Sequence, residues 1–551
     1  MAFSKIAYKA LQDIVGKDNV SDDPVVCQSY SRIQWTPDGV VQRNRIGVDM
    51  RPACVVLPGS AEEVQGAIRV ANRYKFPFIP RGTGMINSAF PNRGGSMVID
   101  PKRMNRIIKV DEKNMYAIVE PYVCFAELQA EAMKKGLYCP TPPAGSQISV
   151  LANYSWHGAY SNSWISGLGA HNLLAFEWVL PDGELVYSGS AAIPGGGYAW
   201  NDGPGPDLRG LLRGAQFGHA GGLGMTTKIS CKLYPWPGPT VFPTEGVGIY
   251  KKSKFPEDKF RWYMIDFPHE YPKDEEWALK KAAELFYELA KAEIGVVVQH
   301  MAEQFLITYS SRTKQELFER LEKRTYPHGY CLVGLAATTS TRQLEYEEKV
   351  LKTIVGNLGG VFLTEKDPAY EAWVMNVGNE WIRVGHAQRL ARPSDCFHQG
   401  TVNLDSIDSI VKEILRANRE QRANLESEGK LGAGLLQPLS VHGGWISPLE
   451  GGYSCIMTTD TYPEQTIEGA NEALAVIFQA LKGQLGVRSP GAVAALIGPA
   501  YDLLGPMFFN VHLIIKQIKK SFDPNNVSNP PYATKPEVVS PEELQKLVQV
   551  L

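Results

Sequence analysis

A short loop with two glycines and an arginine has the residue types that suit the binding of an anion. It has the sequence PRGTGMINSAF and spans residues 80–90. Gly82 and Gly84 carry no side chain that would block a phosphate from consecutive backbone N–H groups, and Arg81 adds a positive charge. A glycine loop also serves simply to turn the chain. The spacing is not GxxxxGK[ST], and no GxGxxG opens a helix after a strand, so the P-loop and the Rossmann dinucleotide fingerprint are excluded.

The elements on either side of this loop alternate between strand and helix. ACVVLP, residues 53–58, is a short apolar run typical of a strand, and Ser60 and Glu63 follow at the spacing of a capping box. SMVID and MYAIVE predict two further strands. FAELQAEAMKKG predicts a helix that stops at Gly136. This order predicts an α+β segment rather than a long βαβ series.

Two changes of composition divide the rest of the chain. Residues 140–240 are rich in glycine, serine and aromatic residues and include a hairpin that turns at Asp182 and Gly183. Beyond residue 240 the sequence is more charged, which predicts a second domain. Its helices are expected near residues 275–293, 343–357, 405–424 and 465–483.

The composition is that of a soluble globular protein. The 551 residues are 44% hydrophobic and 21% charged, with a formal net charge of −2, so nothing indicates nucleic-acid binding. The eight cysteines never fall in CxxC spacing, which signals neither a zinc site nor an iron–sulfur cluster and fits a reduced, cytoplasmic setting.

Residues 1–16 lack the apolar core of a signal peptide and predict an amphipathic helix. The apolar stretch at 491–509 contains Pro499, Asp502 and Pro506, so no membrane span is expected.

Five blocks of the chain, in their order, resemble the vanillyl-alcohol oxidase/p-cresol methylhydroxylase (PCMH) flavoprotein superfamily. They are the blocks at residues 55–89, 95–128, 172–189 (NLLAFEWVLPDGELVYSG), 221–235 (GGLGMTTKISCKLYP) and 519–530 (KKSFDPNNVSNP). The resemblance implies an α+β fold in which a PCMH-type FAD-binding domain of two α+β subdomains carries an inserted α+β cap, or substrate, domain. Residues 1–240 would form the FAD-binding domain, 241–500 the cap, and 501–551 a return to the FAD-binding domain.

The same resemblance implies which residues hold FAD. The glycine loop would hold the pyrophosphate, mostly through backbone amides, the segment around residues 143–158 would run past the flavin, and residues 222–226 would lie near the ribityl and adenine parts. The cofactor-binding residues assigned in this way are Pro80, Arg81, Gly82, Thr83, Gly84, Met85, Ile86, Asn87, Pro143, Gly145, Ser146, Ser149, Asn153, Gly158, Gly222, Gly224, Met225, Thr226 and Arg488.

Attachment of the flavin is expected to be non-covalent. Some members form a histidyl link within the glycine loop, but this loop contains no histidine. The vanillyl-alcohol branch attaches FAD from the cap, and the matching segment here is HGGWISPLEGGYSCIMTTD, residues 442–460. Tyr453, His442 and Cys139 are kept as alternative attachment points.

The nearest branch oxidises para-substituted phenols, and this chain departs from it at the phenol-binding positions. That branch has a Tyr-Arg pair where this chain has Val487 and Arg488. The arginine cation is therefore kept, and the phenol group of the tyrosine side chain is lost. Ala144 stands in the segment where that branch has an aspartate base, and a second tyrosine is replaced near Asn87. The resemblance therefore implies flavin chemistry with altered substrate recognition.

Oxidation of an alcohol by a flavin needs a base for the hydroxyl proton and a cation beside the reduced flavin. Arg488 is assigned as the cation, with a surface arginine as the alternative interpretation. His442 and His398, on predicted cap strands expected to face the flavin, and His157, in the aromatic loop, are the candidate bases because histidine titrates near working pH. Each is also explained as a structural histidine.

The substrate pocket is assigned to aromatic residues, Trp156, Tyr160, Trp164 and Tyr453, which could surround an aromatic or apolar substrate. Core packing explains Trp156, Tyr160 and Trp164 nearly as well. Arg383, Arg389 and Arg392 could bind the carboxylate of a 2-hydroxy acid, although a solvated helix face is the preferred interpretation. The metal-binding HxGDGNxH pattern of hydroxy-acid dehydrogenases is replaced by VHGGWISPLEGG, so no metal is expected.

The sequence thus predicts an FAD-dependent oxidoreductase that takes hydride from an alcohol or activated carbon of a small, aromatic or apolar substrate. A D-2-hydroxy-acid dehydrogenase is the alternative within this class. A non-redox or electron-relay flavoprotein subunit is the alternative of another class. An acceptor protein or quinone is a possible electron-transfer partner, and the family resemblance implies a homodimer.

Overall fold

The computed structural model describes residues 4–31, 51–84, 95–141, 146–155, 162–212, 222–241, 244–245, 252–253, 256–270, 273–302, 315, 319, 329–365, 396–402, 445–452, 454–461 and 505–530. Within these residues the chain forms two α+β units, a third unit built on a large antiparallel sheet, and a C-terminal helix.

The first unit is a four-stranded sheet flanked by helices. Its strands occur in the order β1, β2, β4, β3, with β2, β4 and β3 parallel and β1 antiparallel to β2. The elements are α1 (Lys5–Val15), β1 (Val20–Ser21), α2 (Pro24–Ser29), β2 (Cys54–Val56), α3 (Ala61–Tyr74), β3 (Phe78–Pro80) and β4 (Met97–Ile99), with a short 3₁₀ helix at Lys17–Asn19.

The local sequence accounts for helix α3, which leads into the strand before the glycine loop. The Ser60 hydroxyl accepts a hydrogen bond from the Glu63 N–H at 3.3 Å, and the Glu63 carboxylate accepts one from the Gly59 N–H at 2.7 Å. The first contact is that of an N-cap residue, and the second satisfies the N–H of the residue before the N-cap. The apolar positions of α3, including Ala67 and Ile68, are fully buried against the sheet.

The second unit is a five-stranded antiparallel sheet in the order β5, β6, β10, β8, β9. The hairpin between β8 and β9 turns at Asp182 and Gly183, where Gly183 has a φ of 89°, as the sequence predicts. The elements are β5 (Ile107–Asp111), β6 (Tyr116–Val119), α4 (Phe125–Met133), β7 (Leu137–Tyr138), α5 (Val150–Ser155), α6 (Ser163–Ser166), α7 (Gly169–Asn172), β8 (Leu173–Val179), β9 (Leu185–Ser188), α8 (Arg209–Leu212), β10 (Met225–Lys232) and β11 (Tyr234–Pro235), with a 3₁₀ helix at Gly189–Ala192.

The third unit contains a seven-stranded sheet in the order β17, β14, β16, β15, β19, β20, β18, in which all neighbouring strands are antiparallel. Its strands lie inside the range 241–500 that the sequence assigns to the cap. The elements are β12 (Thr244–Glu245), β13 (Lys252–Ser253), β14 (Phe260–Asp266), α9 (Glu275–Ala292), β15 (Val297–Ala302), β16 (Gly329–Ala336), α10 (Thr341–Leu358), β17 (Val361–Phe362), β18 (Cys396–Val402), β19 (Trp445–Leu449) and β20 (Ser454–Thr461), with a 3₁₀ helix at Leu363–Glu365.

The two faces of this sheet have different neighbours. One face, with Ile265, Val298 and Cys331, packs on α9 and α10, and we call it the helix face. The other, with Trp262 and Leu332, packs on the second unit, and we call it the inner face. The second-unit residues in that contact are Met133, Tyr138, Leu168 and Trp236. The sheet therefore covers the second unit, as a cap would.

The C-terminal segment returns to the first unit. A 3₁₀ helix at Gly505–Phe508 precedes α11 (Val511–Phe522), and Ser528 then pairs in parallel with Phe78 of β3. The predicted α+β class is confirmed. Helices predicted near 275–293 and 343–357 are observed as α9 and α10, whereas those predicted near 405–424 and 465–483 lie outside the described residues. No helix in the described ranges has the length and apolar character needed to cross a bilayer.

Candidate cofactor site

The glycine loop leaves the end of β3 at the edge of the first sheet. Pro80 is the last residue of that strand, and the Arg81 N–H still donates a hydrogen bond to the Ile99 carbonyl of β4 at 2.9 Å. Gly84 has a φ of 74°, in the left-handed region that favours glycine. The loop therefore starts from a fixed strand end and passes through a conformation that suits glycine.

The Arg81 side chain packs beneath the loop. Its guanidinium lies over the ring of Tyr30, 4.8 Å from the ring centre, and Nη1 is 3.4 Å from the Tyr30 carbonyl oxygen. A Cβ atom on Gly84 would collide with this guanidinium. Arg81 thus places its charge within three residues of Gly84 while also supporting the backbone there.

A polar network holds Tyr30 in place, with Asp100 buried and Lys102 exposed. The Tyr30 hydroxyl donates to the Asp100 carboxylate at 2.6 Å, and the Lys102 ammonium donates to the same hydroxyl at 3.0 Å. Burial raises the pKa of the Asp100 carboxyl, and burial together with Asp100 raises the pKa of the Tyr30 hydroxyl. The sequence analysis missed this network because its members are 70 residues apart and share no local motif.

The loop meets the second unit at helix α5. The Thr83 hydroxyl accepts a hydrogen bond from the Ser149 N–H at 3.2 Å, and the Ser149 hydroxyl donates to the Pro121 carbonyl at 2.5 Å. A Cβ atom on Gly82 would lie 3.2 Å from the Cβ of Ala152, so that glycine permits the close approach. The structure therefore brings together two of the blocks assigned to FAD.

The third block, at the start of β10, reaches the first unit through the C-terminal segment. The Gly224 N–H donates to the Ser528 hydroxyl at 2.9 Å, and Gly224 has a φ of 90°. A Cβ atom there would collide with the Val179 carbonyl oxygen. Since Ser528 also pairs with β3, residues 222–224 are linked to the strand that carries the glycine loop.

The described residues fit a bound dinucleotide in this region. Gly82 and Gly84 let the backbone pass close to Ala152 and to the Arg81 guanidinium, and that cation is held by Tyr30. Ser149, just before α5, contacts the loop at Thr83, and Asn153 is buried within α5. A glycine backbone with a cation fixed beside it fits the binding of a pyrophosphate.

Three other assigned residues differ in their surroundings. Met225 is buried in the core of the first unit with Val179, which leaves only its backbone for a cofactor contact. Thr226 is partly exposed on β10, and the Ser146 carbonyl accepts a hydrogen bond from the Ala126 N–H at 3.0 Å.

Many of the assigned residues lie outside the described part of the chain. They are Met85, Ile86, Asn87, Pro143, Gly145, Trp156, His157, Gly158, Tyr160, His442, Tyr453 and Arg488. Their roles stay predictions.

His398 lies on β18, a strand that the sequence predicts, at the edge of the seven-stranded sheet. In the strand register it pairs with Thr459 of β20. Its role as a base stays a prediction.

Trp164 packs in the core of the cap rather than along an open pocket. It is 4% exposed, and its indole N–H donates to the Ile294 carbonyl at 3.1 Å. It belongs to the cluster on the helix face of the large sheet. This placement agrees with the core-packing interpretation of Trp164.

Cys139, an alternative point of flavin attachment, is fully buried. Its thiol donates to the Gln129 amide oxygen at 3.2 Å, and burial raises the pKa of the thiol to about 12. A thiol held in its neutral form is a poor nucleophile. No group of three His, Cys, Asp or Glu side chains in the described ranges is placed to hold a metal ion.

The sequence matches the family model of an FAD binding domain over residues 52–189. The chain is similar to the 4-cresol dehydrogenase (hydroxylating) flavoprotein subunit of Pseudomonas putida, with 28% identity over 249 residues, 43% of each chain. It is also similar to glycolate oxidase subunit GlcD of Escherichia coli K12, with 33% identity over 190 residues, 34% of this chain and 36% of that one. These alignments span less than half of the length of either relative.

The fold of the chain is similar to that of a solved oxidase. The structure of 4-ethylphenol oxidase from Gulosibacter chungangensis superposes with a TM-score of 0.71 over 97% of both chains, at 17% sequence identity. At this identity the likeness establishes the fold alone. It confirms the predicted PCMH-type arrangement of an α+β FAD-binding fold.

Proposed function

We propose that this chain is an FAD-dependent oxidoreductase acting on a small organic substrate, because residues 52–189 match the model of an FAD binding domain. The observation that carries the proposal is the junction of Thr83 and Ser149. It joins the glycine loop to the start of α5, which supports one binding site shared by two separate blocks that the sequence assigns to FAD.

Each described block has its own part in holding the cofactor. Backbone N–H groups of Gly82, Thr83 and Gly84 bind the pyrophosphate, with Arg81 supplying positive charge. Helix α5 holds that loop in place through Ser149, and the backbone of residues 222–226 binds the remainder of the dinucleotide. When bound, FAD supplies a two-electron acceptor for a hydride.

The chain supplies a base and a cation for this chemistry. Arg488 is the cation beside the flavin, where it stabilises negative charge. His442, His398 or His157 removes the hydroxyl proton. Attachment of FAD is non-covalent, and the buried neutral thiol of Cys139 supports that view.

An alcohol or activated carbon of an aromatic or apolar molecule is the substrate we favour. The similarity to 4-cresol dehydrogenase supports it, although Val487 stands where a phenol-binding tyrosine is expected. The similarity to glycolate oxidase subunit GlcD supports a second candidate, oxidation of a D-2-hydroxy acid. In that case an arginine of 383–392 would bind the carboxylate.

An acceptor reoxidises the flavin, and we propose oxygen, a quinone or a partner protein in that role. The domain division at residues 240 and 500, the homodimer and the cytoplasmic location also remain proposals.

The test is reduction of the bound flavin without oxygen. The FAD-loaded protein is mixed anaerobically with a panel of benzylic and apolar primary alcohols and, separately, with glycolate and D-lactate. We expect the flavin absorbance to bleach with an alcohol. Bleaching only with hydroxy acids would favour the second candidate, and no bleaching with any member would argue against oxidoreductase activity on these classes.

The Arg488→Met variant tests the proposed cation within this panel. We expect the flavin of Arg488→Met to bleach more slowly. Arg392→Met should slow the bleaching only if a hydroxy acid is the substrate. Equal bleaching rates for Arg488→Met and the unaltered protein would contradict the role of Arg488 as the cation beside the flavin.

A further inference from the structure

A fully buried lysine in the C-terminal helix connects the separate parts of the cofactor site. The side chains of Lys519 and Asp523 are both 0% exposed, and their charged atoms are 2.5 Å apart. Lys519 also donates to the Gly222 carbonyl at 2.7 Å and to the Ser528 carbonyl at 2.8 Å. All three hydrogen-bond donors of its ammonium group are therefore used.

Asp523 completes the same arrangement from the other side. Its carboxylate accepts hydrogen bonds from the Val527 N–H at 3.0 Å and the Ser528 N–H at 2.8 Å. These contacts fix the turn that follows α11. The pair thus determines where the backbone of residues 527–529 lies.

Residues 527–529 in turn contact both halves of the assigned cofactor site. The Phe78 N–H donates to the Val527 carbonyl, and the Asn529 N–H donates to the Phe78 carbonyl, each at 2.8 Å. Phe78 lies in β3, two residues before Pro80, where the glycine loop begins. On the other side, the Ser528 hydroxyl accepts from the Gly224 N–H at 2.9 Å.

A buried ion pair is weak evidence for stability, because removing two charges from water offsets most of their attraction. Burial lowers the pKa of the Lys519 ammonium despite the nearby carboxylate, which is the direction expected when desolvation dominates. The role of the Lys519–Asp523 pair is then to position the backbone that it contacts.

We propose that Lys519 and Asp523 are positioning residues for FAD, holding the strand that leads to the glycine loop and the Gly222–Gly224 segment at a fixed separation. The proposal rests on the assignment of both segments to FAD. Lys519 itself contacts neither substrate nor reacting atoms and acts through Gly222 and Ser528.

The test compares three variants as apoproteins. Lys519→Met alone leaves a buried carboxylate without its partner and is expected to destabilise the fold. The double variant Lys519→Met/Asp523→Asn removes both charges and keeps an oxygen for the turn, so it is the informative one. Lys520→Met removes an exposed lysine from the same helix and is the matched control.

Affinity for FAD is measured by quenching of flavin fluorescence, and the fold by circular dichroism. We expect the double variant to keep its secondary structure but to bind FAD at least about tenfold more weakly, since two buried carbonyls lose their donor. Lys520→Met should bind FAD like the unaltered protein. A folded double variant with unaltered affinity would overturn the proposal.

A second measurement needs no variant. Addition of FAD to the unaltered apoprotein should slow amide hydrogen exchange at Phe78, Gly224 and Asn529 more than at β14 and β16 of the cap. Equal protection in both regions would contradict the proposal. Neither measurement uses a substrate, so failure of the proposed oxidation would leave this result unaffected.

Discussion

The Thr83 hydroxyl accepts a hydrogen bond from the Ser149 backbone N–H at 3.2 Å, and this contact joins the glycine loop to helix α5. Thr83→Val keeps the shape of the side chain and removes the acceptor. Because an unpaired buried N–H costs about 1–3 kcal/mol, we expect FAD affinity to fall about tenfold. Titration of the apoprotein with FAD measures this. Thr83→Ser keeps the hydroxyl and should bind normally, and equal weakening in both variants would contradict the role of the hydrogen bond.

Gly84 tests the requirement for an open loop. Gly84→Ala places a Cβ against the Arg81 guanidinium and also forces alanine into a φ of 74°, which costs about 1–2 kcal/mol. We expect loss of most FAD binding in the same titration. Gly136→Ala is the matched control, since Gly136 has a φ of 67° but no atom within 4 Å of the new Cβ. Similar FAD affinities in the two variants would contradict a requirement for glycine at position 84.

Trp164 tests the distinction between core packing and a substrate pocket. Trp164→Phe keeps an aromatic ring but leaves the buried Ile294 carbonyl without its donor, so the free energy of unfolding should fall by about 1–3 kcal/mol. Substrate preference should not change. Trp277→Phe alters an exposed tryptophan of α9 and should have little effect. A changed substrate profile without loss of stability would support the assignment of Trp164 to the substrate pocket.

Glu347 of α10 predicts a pH dependence of stability. Burial raises the pKa of its carboxyl above the ordinary 4.5, although the Gln343 amide donates to it at 2.8 Å. The folded state therefore binds this proton more tightly than the unfolded chain, and the associated stability decreases as the pH rises from about 4.5 through the raised pKa. Glu347→Gln removes this titration. The stability of the variant relative to the unaltered protein should therefore increase as the pH rises from 4 to 7.

Denaturant unfolding at several pH values measures this difference. Glu345→Gln changes an exposed carboxyl on the same helix and is the matched control. A stability difference for Glu347→Gln that stayed constant with pH would contradict a raised pKa for the Glu347 carboxyl.

The sequence predicts those parts of the fold that depend on neighbouring residues. The capping contacts at Ser60 and Glu63 and the turn at Gly183 involve residues within a few positions of each other, and they were found where expected. The order of the FAD-binding blocks also predicted which segments converge, as Thr83 and Ser149 do.

Contacts between distant segments could not be predicted in this way. Arg81 was expected to offer only charge, but it also packs on Tyr30, 51 residues earlier, and no local pattern indicates that pair. Lys519 appears as an ordinary lysine in an amphipathic helix, and only the tertiary fold reveals its contact with Gly222. Which residues of β18 and β20 pair depends on the strand register, which a strand prediction does not contain.

The central claim is that this protein binds FAD at the glycine loop and uses it to oxidise a carbon–hydrogen bond of its substrate. The most direct measurement is anaerobic flavin bleaching with the best alcohol of the panel, carried out with hydrogen or deuterium on the carbon to be oxidised. The account predicts that flavin absorbance is lost and that deuterium slows the loss several-fold, because that bond breaks as the flavin is reduced. Absence of bleaching with the whole panel of alcohols and hydroxy acids, in protein that binds FAD, would contradict the claim.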